Sequence, residues 1–321
     1  MLQILELTFP FFALVLCGYA VVRRGWLPLD SIPGLNVFVL YFTLPCLLFR
    51  FGAATPIARM LDAGVFGVYL LSALAMVAIG VVATRRGATG WNDASFGALV
   101  AAFPNSGFMG VPLLVALLGE RAAAPAIVAL AVDMVITSSL CIALSRLGER
   151  GTHGAGPAVA NALKGMVTNP LPWAIGLGCA VSASGIVLPM VLLKPVTMLA
   201  DAASPVALFT LGAMLARTGL LARRADLVAP RRADVPLIVG CKLLIHPALV
   251  WGAGRLAIAA GLPLDPFAAT VLVLVAALPS ASNVPMLAER FGADGGRIAR
   301  VVLVSTTLAF LSFSLAVAVL T

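Results

Sequence analysis

The sequence predicts an all-α protein that crosses a membrane many times, and three observations carry that prediction. Of 321 residues, 61% are hydrophobic and 11% charged, where an ordinary soluble domain is about 25% charged. The mean hydropathy is +1.08. The apolar residues fall in runs of about 20, the length that covers a hydrocarbon core, and short basic clusters separate them. Two of the runs are broken at their centres by paired prolines: Phe103-Pro104-Asn105-Ser106-Gly107-Phe108-Met109-Gly110-Val111-Pro112, and Leu278-Pro279-Ser280-Ala281-Ser282-Asn283-Val284-Pro285. A proline inside a membrane helix removes a hydrogen bond and frees carbonyls that lipid cannot solvate, so each break must face protein, water or a ligand.

Ten runs qualify as spans, at residues 4–22, 33–51, 63–84, 94–118, 122–145, 167–186, 189–216, 234–259, 266–288 and 297–320. Glu6 lies ahead of the first apolar stretch and Arg23-Arg24 follow it, the reverse of a secretory leader's charge order. Span 1 is therefore expected to stay, with its N-terminus outside. Span 2 carries Pro45, span 3 ends on Arg85-Arg86, span 4 holds the first break and span 5 contains Asp133. The polar stretch 146–166, rich in Gly and Ala, reads as a linker and divides the chain into units at 1–145 and 167–321. Span 6 contains Gly176-Leu177-Gly178, and span 7 has Asp201 four residues before Pro205. Span 8 carries Lys242, His246 and Gly252-Ala253-Gly254; span 9 holds the second break, and span 10 closes the chain. The two small-residue triplets read as places of close helix contact.

Charge supports this count. With the N-terminus outside, fifteen of the 21 basic residues fall in cytoplasmic connections, among them Arg86, Arg150, Lys164, Arg231 and Arg232; five, Arg50, Arg59, Arg121, Lys194 and Arg255, fall outside, and Lys242 lies within a span. That is the positive-inside pattern of an even number of spans with both termini external. The net charge of +8 thus reads as a topology signal, without the aromatic pattern of an RNA-binding surface. The five cysteines, Cys17, Cys46, Cys141, Cys179 and Cys241, lie in apolar runs without metal-ligand spacing and read as small buried hydrophobes.

Around the second and seventh spans the two units superpose. Leu44-Pro45-Cys46-Leu47-Leu48-Phe49 precedes Ser204-Pro205-Val206-Ala207-Leu208-Phe209 by 160 positions, and Gly52 keeps that offset from Gly212. Five spans per unit is an odd number, so the second copy is expected to enter the membrane inverted, and matched breaks in two such halves mark a transporter's binding site. Enzyme readings find no support, since the chain has no HExxH, GxSxG, Walker loop or DDxxD cluster. No connection is long enough for a nucleotide-binding domain.

Chemistry at the breaks follows from their ends. The first turn of each second half-helix offers free N–H groups and partial positive charge, and the end of each first half-helix offers carbonyls. Asn105, Ser106, Ser280, Ser282 and Asn283 add donors and acceptors, while Gly107 and Gly110 admit a ligand close to the backbone. With Pro104, Phe108, Pro112, Pro279, Pro285, Pro45 and Pro205 they form the candidate substrate site. A simpler alternative is that the Asn and Ser side chains only satisfy their own unwound backbone. Ionisable residues within spans are expensive and therefore candidates for coupling. Asp133 and Lys242 are expected to pair near the breaks, Asp201 to line the cavity, and His246 to pack at a kink or relay protons.

Phe38-Val39-Leu40-Tyr41-Phe42-Thr43-Leu44-Pro45, the Pro104–Pro112 break, Asn169-Pro170, Ala203-Ser204-Pro205 with Leu211-Gly212-Ala213, Lys242-Leu243 with Pro247, and Ser280-Ala281-Ser282-Asn283 together carry a resemblance over nearly the whole chain. It resembles the auxin efflux carrier family, which takes in bacterial organic-acid permeases such as malonate carriers and, more distantly, plant PIN-formed auxin exporters. The resemblance implies two inverted five-helix repeats whose fourth and ninth helices cross at unwound centres. It also implies a scaffold of spans 1, 2, 6 and 7 that forms a homodimer, and a transport domain that moves as an elevator. The expected substrate is a small organic anion, a mono- or dicarboxylate such as malonate, coupled to protons or sodium and needing no cofactor. Amino acids, auxin-like aromatic acids or bile-acid-like anions are alternatives, as is a non-transporting sensor or channel on the same fold.

Overall fold

The computed structural model describes residues 2–54, 62–85, 89–148, 170–186, 188–225 and 234–321. The linker beyond residue 148 lies outside the described residues, as do Arg59, Arg86, Arg150, Lys164, Asn169, Arg231 and Arg232. Among the described residues the secondary structure is helical, with no strand. In chain order the helices are α1 (Leu2–Arg23), α2 (Leu29–Ala54), α3 (Ala63–Thr84), α4 (Trp91–Ala102), α5 (Ser106–Leu118) and α6 (Glu120–Ser145). They continue with α7 (Pro170–Ser184), α8 (Met190–Ala225), α9 (Val235–Ala259), α10 (Pro266–Ala277), α11 (Val284–Arg290) and α12 (Gly295–Leu320). By length and composition six are able to cross a membrane: α2, α3, α6, the Met190–Arg217 part of α8, α9 and α12.

Local chemistry sets several of these ends. The Asp62 carboxylate accepts from Val65 N at 3.0 Å to start α3, Asp265 accepts from Phe267 N at 3.1 Å to start α10, and Asp294 accepts from Arg297 N at 2.9 Å to start α12. Each satisfies one of a helix's orphan N–H groups. Pro195 and Pro205 do not interrupt α8, which runs 36 residues. Elsewhere α2, α6 and α9 each contain one wide π turn, at Val39–Thr43, Asp133–Thr137 and Cys241–Ile245.

Backbone contact between helices is tightest in two places. Gly18 of α1 lies against the Phe209 carbonyl of α8, and Gly212 against the Val15 carbonyl. Gly178 of α7 lies against the Phe49 carbonyl of α2, and Gly52 against the Ile175 carbonyl. A Cβ at any of the four would overlap the facing backbone oxygen. The second contact repeats the first with each residue exchanged for the one 160 positions away, so that 15, 18, 209 and 212 become 175, 178, 49 and 52. The triplet expectation thus holds for Gly178 alone, because Gly176 and Gly252 face open space and Gly254 makes only ordinary contacts.

The core is one cluster drawn most heavily from α3–α6 and α9–α12, with α1, α2, α7 and α8 also contributing, among them Val15, Leu48, Ala174 and Leu211. At one end of it, Arg297 is 2% exposed and its guanidinium grips Asp234 through Nε at 3.2 Å and Nη2 at 2.5 Å, while Nη1 donates to the Asp93 carbonyl at 2.8 Å. Asp93 accepts from Asp294 N at 2.9 Å, and Asn92 donates to the Phe291 carbonyl at 3.0 Å. The starts of α4, α9 and α12 and the end of α11 are thereby bound together. The cysteines depart from expectation in part: Cys141 and Cys241 are buried, Cys46 and Cys179 half-buried, and Cys17 exposed. The outward face of a membrane helix tolerates a thiol as readily as its core does.

Candidate functional site

Both predicted breaks are present, and they meet. Phe103 and Leu278 each precede a proline, which disfavours the helical conformation at the preceding residue. Their backbones are extended, at φ −94°, ψ 103° and φ −62°, ψ 156°. The helices consequently stop at Ala102 and Ala277. The two short extended segments pair antiparallel at Pro104 and Ser280. Asn105 N donates to the Pro279 carbonyl at 2.8 Å, and Ala281 N donates to the Phe103 carbonyl at 2.9 Å. Each break thus supplies a backbone donor and a backbone acceptor to the other. Pro285 stands in the first turn of α11, where a missing N–H is harmless, and Pro112 follows directly on the wide π turn Ser106–Gly110 that opens α5.

The side chains at this crossing are buried and largely unpartnered. Asn105 is 1% exposed, and neither its amide nitrogen nor its oxygen has a hydrogen bond. The hydroxyls of Ser280 and Ser282, 0% and 3% exposed, have none either. Ser106 makes one long bond, 3.4 Å, to the Pro104 carbonyl. Self-satisfaction of the unwound backbone therefore accounts for Ser106 alone. The Ser280 backbone N–H is held from α12 by the Ser305 hydroxyl at 3.2 Å. Asn283, half-buried, begins α11 without a capping bond.

Gly110 has a role other than the expected one. A Cβ on Gly110 would press on Leu278 Cδ1 at 2.5 Å, so this glycine lets the two breaks approach each other rather than a ligand. Gly107 has only the Leu130 side chain near it. Phe108 is buried and packs in the core.

Beside the crossing lies a second buried group. Lys242 and Asp133 are both fully buried, but they do not form the expected ion pair. Lys242 Nζ donates to the Ala276 carbonyl at 2.8 Å and lies 3.0 Å from His246 Nδ1. Ala276 is in the last turn of α10, so the lysine occupies the carbonyl end that the break leaves open. Asp133 takes a hydrogen bond from the Tyr69 hydroxyl at 2.7 Å and another from Thr137 at 3.1 Å. Tyr69 stands between the two charges, its ring centroid 6.3 Å from that of His246. Sequence reasoning missed Tyr69, Thr137 and Ser305. Only the Asp133/Thr137 spacing of four, one helical turn, was a signal.

The remaining candidates lie elsewhere. Asp201 is exposed and bound by Arg50 at 2.5 Å, with side-chain exposures of 70% and 37%, and Pro205 is exposed on the same helix. Neither joins the buried crossing. The 160-residue correspondence put them opposite Tyr41 and Pro45, and those too sit toward the outside, exposed and half-buried. Among the described residues no cluster of three or more His, Cys, Asp or Glu could hold a metal ion.

A family model described as "Membrane transport protein" matches residues 3–317. A protein of Rhizobium meliloti (strain 1021) named "Putative malonate transporter" is 30% identical over 315 residues, covering 96% of this chain and 93% of that protein. A protein of Methanothermobacter thermautotrophicus named "Uncharacterized transporter" is 27% identical over 311 residues, covering 94% of this chain and 93% of its own length.

Proposed function

The chain belongs to the membrane transport protein family, that of the auxin efflux carriers, and from this premise we propose that it is a secondary carrier of small organic anions, with malonate or a similar mono- or dicarboxylate as substrate. One observation carries the reading. Asn105, Ser280 and Ser282 bury donors and acceptors without partners, and each such group costs about 1–3 kcal/mol. A carboxylate lying between the crossed segments would satisfy several at once. The crossed segments themselves carry no charged side chain, so an anion held between them can leave again.

Lys242 supports the site from behind. It neutralises the carbonyl end of α10 and brings positive charge beside the crossing, which favours an anion there. With His246, Tyr69 and Asp133 it forms the proposed coupling group, in which a proton exchanged during the cycle moves Lys242 between the Ala276 carbonyl and another partner. The similarity to a malonate-transporter relative supports the choice of substrate.

The proposed architecture is ten spans in two inverted five-helix repeats, with α4–α5 and α10–α11 each forming one interrupted span. The glycine contacts repeated at a spacing of 160 support it, since an internal pseudo-twofold would make one helix contact recur in this way. An elevator motion of α3–α6 with α9–α12 against α1, α2, α7 and α8, a homodimer through the latter, and residence in a bacterial inner membrane complete the proposal. The test is counterflow of labelled malonate in proteoliposomes, with and without sodium or a proton gradient. Accelerated exchange is expected, and its absence for malonate beside exchange of another acid would reassign the substrate.

A further inference from the structure

A small cleft of about 30 Å³ opens beside the crossing, between α8, α11 and α12. Its walls include Met214 and Arg217 of α8, Ser282 of the second break, Glu289 of α11, and Ala299 and Val302 of α12. Ser282 is 3% exposed with an unpartnered hydroxyl, and the Nε of Arg217 is buried without a hydrogen bond. Arg217 also ends the apolar stretch Met190–Arg217 of α8.

We propose that Arg217 is a substrate-binding residue, receiving a carboxylate from the aqueous side and handing it along this cleft to Ser282 at the crossing. The inference rests on the reading of the chain as a carboxylate carrier. A carboxylate must shed its water before it reaches the buried site. A guanidinium with an open edge offers two parallel N–H donors to replace that water, a geometry that lysine cannot reproduce. The cleft has room for about one water, hence for the leading carboxylate group rather than a whole diacid. Glu289 shares the same walls and is itself an anion. It competes with the substrate for Arg217 and keeps the guanidinium from holding a carboxylate too tightly to release. None of the sequence motifs pointed to Arg217, which reads there as one more membrane-edge cation.

The test uses the full-length chain in proteoliposomes, with malonate applied from each side. R217Q is expected to raise the malonate KM about tenfold from one side only, R217K to recover part of that loss, and E289Q to lower the KM severalfold. An R217Q protein whose KM stays within about twofold of wild type overturns the proposal. If R217Q does not fold, E289Q decides, because a KM equal to or above the wild-type value also overturns it. Wild-type protein that exchanges no carboxylate at all would instead refute the reading on which the inference rests.

Discussion

At Asn105 and Ser282, stability and function pull in opposite directions. Both side chains are buried without partners, so removing them relieves an unmet demand of the empty protein. Asn105→Ala and Ser282→Ala are therefore expected to leave the thermal midpoint of the ligand-free protein unchanged or raised, while malonate exchange falls at least about tenfold. Thermal-shift and counterflow measurements on the same preparations check both signs. Lys242 is the opposite case. Its bond to the Ala276 carbonyl means that Lys242→Ala orphans a buried acceptor, at about 1–3 kcal/mol. That variant is expected to lose both thermal stability and transport, and wild-type exchange in it would remove Lys242 from the mechanism. The polar residues at the breaks were legible in the sequence because prolines advertise where a helix stops. Tyr69 was not, because nothing in a run of apolar residues tells which side chain will face an aspartate 64 positions away.

Among the helices, the interrupted pair was readable and the contacts between helices mostly were not. Pro104 and Pro279 break their helices, whereas Pro195 and Pro205 leave α8 whole. The difference is the following sequence: Asn105-Ser106-Gly107 and Ser280-Ala281-Ser282 favour turns and caps, while Val206-Ala207-Leu208 resumes a helix at once. Glycine spacing was a weaker guide, since Gly176 and Gly178 are alike in sequence and only the latter meets a backbone. Gly212→Val, which drives two methyl groups into the Val15 carbonyl, is expected to lower the melting temperature and the yield of folded protein. Gly176→Ala, facing open space, should change neither. Equal melting curves for Gly212→Val and the wild type would show that α1 and α8 do not pack as described.

Across the whole molecule, Arg297 binds the starts of α4, α9 and α12 into one end. Losing one partner of a buried ion pair costs about 3–5 kcal/mol, and Asp234 is partly exposed, so Arg297→Ala should fall toward the lower figure. A drop of several degrees in melting temperature is expected, with malonate KM little changed in the protein that remains folded. This lock was invisible in sequence, where Arg297 and Asp234 look like ordinary residues of connecting loops. The reciprocal bonds of the crossing, Asn105 N to Pro279 O and Ala281 N to Phe103 O, also bear on how the chain is made. While residues 103–105 are being inserted, their partners 174 and 178 positions downstream do not yet exist, so for a time the nascent first half holds open amide groups inside the bilayer. It should be recognised as unfinished by membrane quality-control proteases when expressed alone, and be rescued when the second half is supplied from a separate transcript.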